Sequence, residues 1–401
     1  MKPNTYLLLI LIILTLVLDI YIFSSQLQGT GFLAATRCIE GWQCKDANTY
    51  GFLTKKCEWA ALKPCSYDCG PDGCISQPSA VAGITRLTAN DRIQALPRIS
   101  GNNVVYWDAR NSDAVQDTDI YYYNFASNTE DKIITAGGPV CDVEASKAPK
   151  ACERLRDQAV PDISDDMVVF EDYSRLCNFF GDKVTCPLIY EYEINEKKAK
   201  PISNRKTLQY APRISGKDVV WFEIDPDKAT FSVVWQNLEN GSELNLGPGQ
   251  YPAISGNLIV YMPFAGDKLQ LFDTSTLQSE ELPVAGVFPE IYDNKIVYSR
   301  FDVADNGTNI YIYDLSTKTE KKINSVTTKI AGGQAIYGNE IVYHALRDGY
   351  VKIVLYNIAT ETESIIDDSQ YNQTNPSIFE NKIVYEKEVD GNKDIYLYTI
   401  G

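Results

Sequence analysis

A single histidine, His344, is present in 401 residues. Apart from this lone imidazole, that removes Ser-His-Asp, Cys-His and multi-histidine metal arrangements. His344 directly follows an Ile-Val-Tyr triplet and reads as a structural or surface residue of a strand. Neither a Gly-rich phosphate loop nor a Gly-x-Ser-x-Gly elbow occurs, and no hydrolase-like segment follows the last repeat. Carboxylates are abundant, 53 Asp and Glu against 37 Lys and Arg, for a net charge of −16. A paired-carboxylate enzyme acting on glycans is therefore chemically open. A nucleic-acid partner is not, because the phosphate backbone demands a basic surface.

The sharpest candidate constellation comes from one strand position that recurs seven times, two residues after an aromatic. Its occupants are Asp108, Asp172, Glu223, Pro263, Arg300, Ala345 and Lys387. Equivalent positions in a ring lie at equal radius, so acids would cluster on the early repeats and bases on the later ones. Such a dipolar rim suits a polysaccharide or a charged patch on a surface protein, and solvated loop charge is the plainer reading. Asp108, Asp172, Glu223, Arg300, His344 and Lys387 are the candidate binding residues; no residue is assigned as catalytic. No cofactor is called for. Two loops rich in oxygen donors, from Asp108 (DARNSDAVQDTD) and from Phe301 (FDVADNGTN), leave Ca2+ open, but neither has EF-hand spacing and both suit ordinary turns.

The elements that position these residues are repeats. The copies read PRISGNNVVYWD from Pro97, PDISDDMVVFED from Pro161, PRISGKDVVWFE from Pro212, PAISGNLIVYMP from Pro252, PEIYDNKIVYSR from Pro289, QAIYGNEIVYHA from Gln334 and PSIFENKIVYEK from Pro376. Gly-Asn, Asp-Asn and Asp-Asp inside each copy supply a tight hairpin turn. A second strand pair with its own polar turn follows, as in NIYIYDLSTKTEKKI from Asn309. The apolar runs are nearly continuous, which implies burial on both sheet faces rather than one wet face. Four short strands per repeat, buried on both sides, predict a seven-bladed β-propeller over 84–401. The last copy stops one strand short at Gly401, and Ile84–Leu87 is placed to complete its blade and remove an open edge.

The Pro-x-Ile-Ser-Gly-Asn-x-Val-Val-Tyr-x-Asp phrase, followed by Asp-Ile-Tyr-x-Tyr, resembles the TolB-like propeller repeats of secreted and surface proteins. The resemblance spans about 84–401 and rests on repetition; the Gly-His and Trp-Asp pairs of WD40 and the paired glycines of kelch are absent. It implies a binding platform and carries no catalytic residue onto this chain. The overall arrangement also looks like archaeal cell-surface proteins, whereas an anchor with a cysteine module departs from periplasmic TolB.

Residues 6–23 (YLLLILIILTLVLDIYIF) carry one charge, Asp19. As a helix they reach ~27 Å, close to a ~30 Å hydrocarbon core. A signal anchor over 1–23 is preferred to a cleaved signal peptide, which places the rest outside the cytoplasm. Linkers at 24–37 and 75–83 flank a six-cysteine segment over 38–74. Cys38, Cys44, Cys57, Cys65, Cys69 and Cys74 lack zinc-like spacing and read as a disulfide module. Cys141, Cys152, Cys177 and Cys186 lie in the two longest repeats and read as loop disulfides, Cys141 with Cys152 and Cys177 with Cys186. Sequons at Asn240, Asn306 and Asn372 fall where turns are expected. The expectation is a membrane-anchored, extracytoplasmic propeller that binds a surface protein or polysaccharide and is not an enzyme. The alternative is a carboxylate-based glycosidase or lyase working on the propeller rim.

Overall fold

The computed structural model describes residues 41–46, 49–53, 58–64, 68–70, 73–75, 83–110, 118–133, 157–179, 182–203, 205–326 and 331–401. The chain divides into two compact units, Met1–Gln77 and Pro78–Gly401.

The larger unit is the expected all-β propeller: seven four-stranded antiparallel sheets, one per repeat. The first strand of each repeat is innermost, and consecutive first strands meet around the ring. These strands are Gln94–Ser100, Gln158–Ser164, Leu208–Ser215, Gly249–Ser255, Val287–Tyr292, Ala331–Tyr337 and Asn372–Phe379, defining blades 1 to 7. Burial is two-sided, as the unbroken apolar runs require: Val105 of blade 1 packs with Phe170 of blade 2, and Val260 of blade 4 with Tyr298 of blade 5. All four are fully buried or nearly so.

Each conserved letter of the repeat has a physical task at a blade junction. In blades 1 to 4 the serine hydroxyl after Pro-x-Ile accepts an N–H from a turn of the neighbouring blade: Asp165 to Ser100 (2.9 Å), Gly216 to Ser164 (2.9 Å), Gly256 to Ser215 (2.9 Å) and Asp293 to Ser255 (3.2 Å). Blades 5 to 7 replace it with Tyr292, Tyr337 and Phe379, whose rings follow one another at 4.7 and 4.8 Å. On the opposite face a glutamine side chain accepts the N–H of a third strand in the preceding blade: Ile120 to Gln158, Ile189 to Gln209 and Ile353 to Gln373.

The ring closes as anticipated. Ile84–Arg86 pairs antiparallel with Asn392–Thr399, so the outermost strand of blade 7 comes from upstream of blade 1. Thr88 accepts the Ile395 N–H (2.9 Å), taking the role glutamine has elsewhere. Arg86 Nη2 meets Asp394 Oδ2 at 2.8 Å, with side-chain exposures of 11% and 2%.

Two parts of the expected architecture are corrected. The N-terminal transmembrane helix over 1–23 lies outside the described residues; those residues contain no helix, and none is long and apolar enough to cross a membrane. Among the described residues the fold is all-β. The segment expected to be a disulfide-rich module is, where described, a small β unit: a three-stranded sheet (Gly41–Asp46, Thr49–Leu53, Trp59–Pro64) and a hairpin (Asp68–Gly70, Gly73–Ile75). Backbone ladders organise it, and no cysteine pairing within it is described. Of the other cysteines, Cys141 and Cys152 lie outside the described residues. Cys177 and Cys186 lie on the two long central strands of blade 2, and Cys186 is bonded in a disulfide. Of the sequons, Asn240 and Asn306 are on turns, while Asn372 opens the innermost strand of blade 7 and accepts the Val351 N–H.

Removing one member of a buried ion pair takes away the other's opposite charge, although Thr88 still donates to Asp394. Arg86→Met should cost about 3 kcal/mol in urea unfolding, and pairing it with Asp394→Leu should restore most of the loss.

Candidate functional site at the axial channel

The innermost strands are irregular in the same place in every blade. The register against the second strand slips between Ala95 and Arg98, Ala159 and Asp162, Tyr210 and Arg213, Gln250 and Ala253, Val287 and Glu290, Gly332 and Ala335, and Thr374 and Ser377. At each slip one residue is left-handed: Leu96, Val160, Ala211, Tyr251, Phe288, Gly333 and Asn375, with φ between 47° and 55°. Six are not glycine and one is β-branched, so each carries strain that its surroundings must offset. Part of the offset is visible. The bulge N–H is taken by a second-strand side chain of the preceding blade: Leu96 by Glu386 Oε1 (2.8 Å), Ala211 by Glu171 Oε1 (2.7 Å) and Phe288 by Met262 Sδ (3.3 Å).

The bulge turns the middle residue of Pro-x-Ile toward the axis. Around the ring these residues are Arg98, Asp162, Arg213, Ala253, Glu290, Ala335 and Ser377. Arg213 of blade 3 makes a bidentate pair with Glu290 of blade 5, both bonds 2.6 Å, which spans past blade 4. Its Nε also donates to Asp162 Oδ2 at 3.1 Å, and that oxygen takes the Ile214 N–H. Burial works against the Arg213 charge, but Glu290 and Asp162 together hold it above the usual guanidinium range. Arg98 is treated differently: its nearest carboxylate oxygen, Asp162 Oδ1, is 4.0 Å away, and its side chain stays 28% exposed. Burial, and then the like charge of Arg213, lower its proton affinity. The ring is balanced in charge and uneven in pairing.

Above this ring lies the mouth, on the face where the innermost strands begin. Its sides differ. Tyr210, Phe222, Tyr251 and Phe288 run in continuous ring contact at 5.4, 5.6 and 4.8 Å. Phe288 is 51% exposed, and Phe231 and Phe264 stack at 4.3 Å on the same face. Opposite stand Ser299, Gln334, His344, Asn375 and Glu386. Ser299 Oγ donates to Gln334 Oε1 at 2.9 Å, and Gln334 Nε2 donates to the Phe288 carbonyl. Both oxygens of Glu386 are occupied, by Leu96 N and Asn375 Nδ2 on one and Thr374 Oγ1 and Lys393 Nζ on the other. Glu171, beside Tyr210, is the distinctive acid. Burial pushes its carboxyl up to about 7 although Ala211 N and Tyr173 Oη both donate to it. Burial and the Glu171 charge raise the Tyr173 phenol in turn.

The residues proposed from sequence lie on the other side of the second strands. Asp108 is fully buried and takes Arg110 and Asn90. Asp172 is buried opposite Gln158 and Leu188. Glu223 receives Arg205 at 2.8 Å and Thr207 at 2.9 Å. Arg300 pairs with Glu320 and covers the Tyr311 ring at 3.7 Å, and Lys387 pairs with Asp367 at 3.0 Å. Each described partner belongs to the same blade or its leading loop, so these charges are spent within blades. Asp302 and Asp305 of the second proposed calcium loop are engaged by Arg300, Tyr311, Asn309 and Lys322. No group of three or more His, Cys, Asp or Glu gathers for a metal among the described residues. His344 alone reaches the mouth. Its Nδ1 has no hydrogen-bond partner among the described residues, and burial lowers the imidazole to about 4. A Cβ on Gly333 would sit 2.6 Å from that nitrogen, which explains why this bulge alone has glycine.

No family model and no curated protein matches the chain. Solved structures do. The β-propeller domain of the Trilobed protease from Pyrococcus furiosus is similar with a TM-score of 0.57 and 13% identity, over 76% of this chain and 95% of that one. Pyrococcus horikoshii acylaminoacyl peptidase gives 0.55 and 13% over 76% of this chain, which spans only 51% of that enzyme. An oligogalacturonate lyase from Vibrio parahaemolyticus gives 0.53 and 11%, over 80% of this chain and 95% of the lyase. Identities this low show a seven-bladed propeller fold shared with several propeller enzymes. They show no single family, TolB-like or other, and assign the chain no archaeal source. They do overturn the expectation of a non-enzyme. Several of the matching propellers belong to enzymes, so the fold is no argument against catalysis.

The two perturbed groups act oppositely on stability. His344 titrates at about 4 when folded against 6.5 ordinarily, so its contribution is present above 6.5 and is lost as pH falls towards 4. Glu171 titrates at about 7 against 4.5, so its contribution is present below 4.5 and is lost as pH rises through 7. Between pH 4.5 and 6.5 the slopes oppose. Glu171→Gln should therefore expose a steeper acid-side loss in denaturant midpoints, and His344→Gln should remove it.

Proposed function

We propose that the chain is a carbohydrate-active enzyme, a glycosidase or a lyase, working at the mouth of the axial channel. The observation that carries this reading is the hydrogen-bonded Glu171–Tyr173 pair (2.7 Å), its carboxyl poised at about 7, at the end of an aromatic arc. A carboxyl with that proton affinity is both acid and base near neutrality. In hydrolysis its protonated form supplies the proton taken by the departing glycosidic oxygen, while water adds to the anomeric carbon and releases its own proton to solvent. In elimination its ionised form accepts the proton lost next to a sugar carboxylate, while the C–O electrons leave with the departing sugar. Tyr173 is the more exposed of the two and relays the proton at its hydroxyl. The exposed Phe288 ring and its neighbours offer flat apolar faces to pyranose rings, and the polar side opposite offers donors and acceptors to hydroxyls.

The likeness to oligogalacturonate lyases favours this reading over a pure binding platform. One solved lyase of this kind is described in complex with manganese. The axial donors here, two guanidiniums among two carboxylates, do not form a cation cage.

The test is a panel of neutral and acidic polysaccharides, read by new reducing ends and by the near-ultraviolet absorbance of a conjugated alkene, which only elimination creates. Turnover should follow a group titrating near 7. Glu171→Gln should lower it by at least about 100-fold, and Tyr173→Phe should lower it too. Retention of a glycan without any product would replace the enzyme by a binding platform.

A further inference from the structure

We infer that Arg98 is a binding site for the carboxylate of an acidic sugar, so the substrate class of the site proposed above is a uronate-bearing saccharide. The inference rests on that enzymatic reading for its saccharide and on the axial ring for its anion.

The ring residues are two cations and two anions, yet both anions serve Arg213. Glu290 is committed to it through two bonds of 2.6 Å, and Asp162 gives it one oxygen at 3.1 Å. Arg98 has a contact at 4.0 Å to Asp162, and the attraction of Glu290 and Asp162 does not make up for its burial and the repulsion from Arg213. Its planar fork of donors is the group best suited to a bidentate carboxylate. Steric provision points to the same side. Blades 2, 3 and 5 fill their share of the channel with Asp162, Arg213 and Glu290, whereas blades 6 and 7, on the other flank of Arg98, contribute only Ala335 and Ser377. The Ser377 hydroxyl accepts the Ile99 N–H at 3.3 Å, one residue beyond Arg98, and remains a donor toward that space. An anion docked on the guanidinium offsets, through its opposite charge, the cost that burial and the repulsion from Arg213 impose.

Scale and surroundings select a sugar acid among possible anions. Arg98 follows the Leu96 bulge by two residues, at most ~7 Å along a strand. That span is about the length of one pyranose ring between a carboxylate on Arg98 and the mouth, where the aromatic arc presents its faces. The chain's charge of −16 disfavours an extended polyanion at its surface, so the anion must be recognised locally, inside the channel.

Binding of galacturonate and of galactose should be measured by calorimetry on the full chain, with no turnover required. Galacturonate should bind at least ten times more tightly than galactose, and Arg98→Ala should weaken it about 10- to 100-fold without changing the weak galactose signal. Ser377→Asp places a carboxylate beside Arg98 and should weaken galacturonate similarly. It keeps an acceptor for Ile99 and so controls for damage to the ring in Arg98→Ala. Equal binding of the two sugars, or unaltered galacturonate binding in both axial variants, overturns the inference. So does capture at Arg98 of a short peptide with a free C-terminal carboxylate but not of galacturonate. The two proposals fail separately: galacturonate bound through Arg98 with no polysaccharide of the panel cleaved supports this site and sinks the enzyme, and cleavage of a neutral glycan unaffected by Arg98→Ala does the reverse.

Discussion

Much of the propeller's inner architecture depends on one backbone event, the left-handed residue that interrupts each innermost strand just before the Pro-x-Ile step. In a regular strand side chains alternate with a period of two. The inserted residue breaks that alternation, bends the strand and sends the next polar side chain to the axis while the isoleucine returns to the blade interface. The cost at a non-glycine residue is of order 1–3 kcal/mol, and six such positions require compensation. Some of it comes from the preceding blade, whose second strand caps the freed N–H with Glu386, Glu171 or Met262. A capped bulge thus couples neighbouring blades at the mouth as serine, tyrosine and phenylalanine side chains couple them on the other face.

Those caps link stability to the proposed chemistry. Glu171 is buried because it satisfies Ala211, and burial is what raises its carboxyl toward neutrality. The Glu171–Tyr173 pair is therefore a junction device in which one proton remains exchangeable near physiological pH. His344 shows the complementary case: its imidazole occupies the same tier, stays neutral because it is buried, and obliges blade 6 to carry glycine at the bulge. The pairing inequality around the axis arises from ring geometry. Arg213 reaches Glu290 two blades on because the intervening position is Ala253.

Much of the fold was legible because it is written seven times. Turn residues, apolar triplets and the missing final strand specified blade number and closure, and the structure places Ile84–Arg86 in blade 7. The site was less legible. The position two after each aromatic was an attractive column, but in a strand buried on both faces a polar residue there is neutralised by its own blade, as Arg205 does for Glu223 and Asp367 for Lys387. Two neighbouring columns mattered more: one after the aromatic, holding Glu171, His344 and Glu386, and the x of Pro-x-Ile, holding Arg98, Asp162, Arg213 and Glu290. The second had a signal, since a variable polar residue between two invariably buried ones must have its own outlet.

By itself, the sequence of Pro97 to Gly401 determined a ring of seven antiparallel blades, because repeated short-range patterns specify repeated short-range structure. It also excluded every catalytic arrangement that needs two histidines. Only the tertiary structure decided which polar residues share a space. The bulge is invisible to a period-two reading, and Arg213, Glu290 and Arg98 become neighbours solely when the ring closes. Their unequal pairing, with one guanidinium left open toward Ala335 and Ser377, is a property of closure that no single repeat contains.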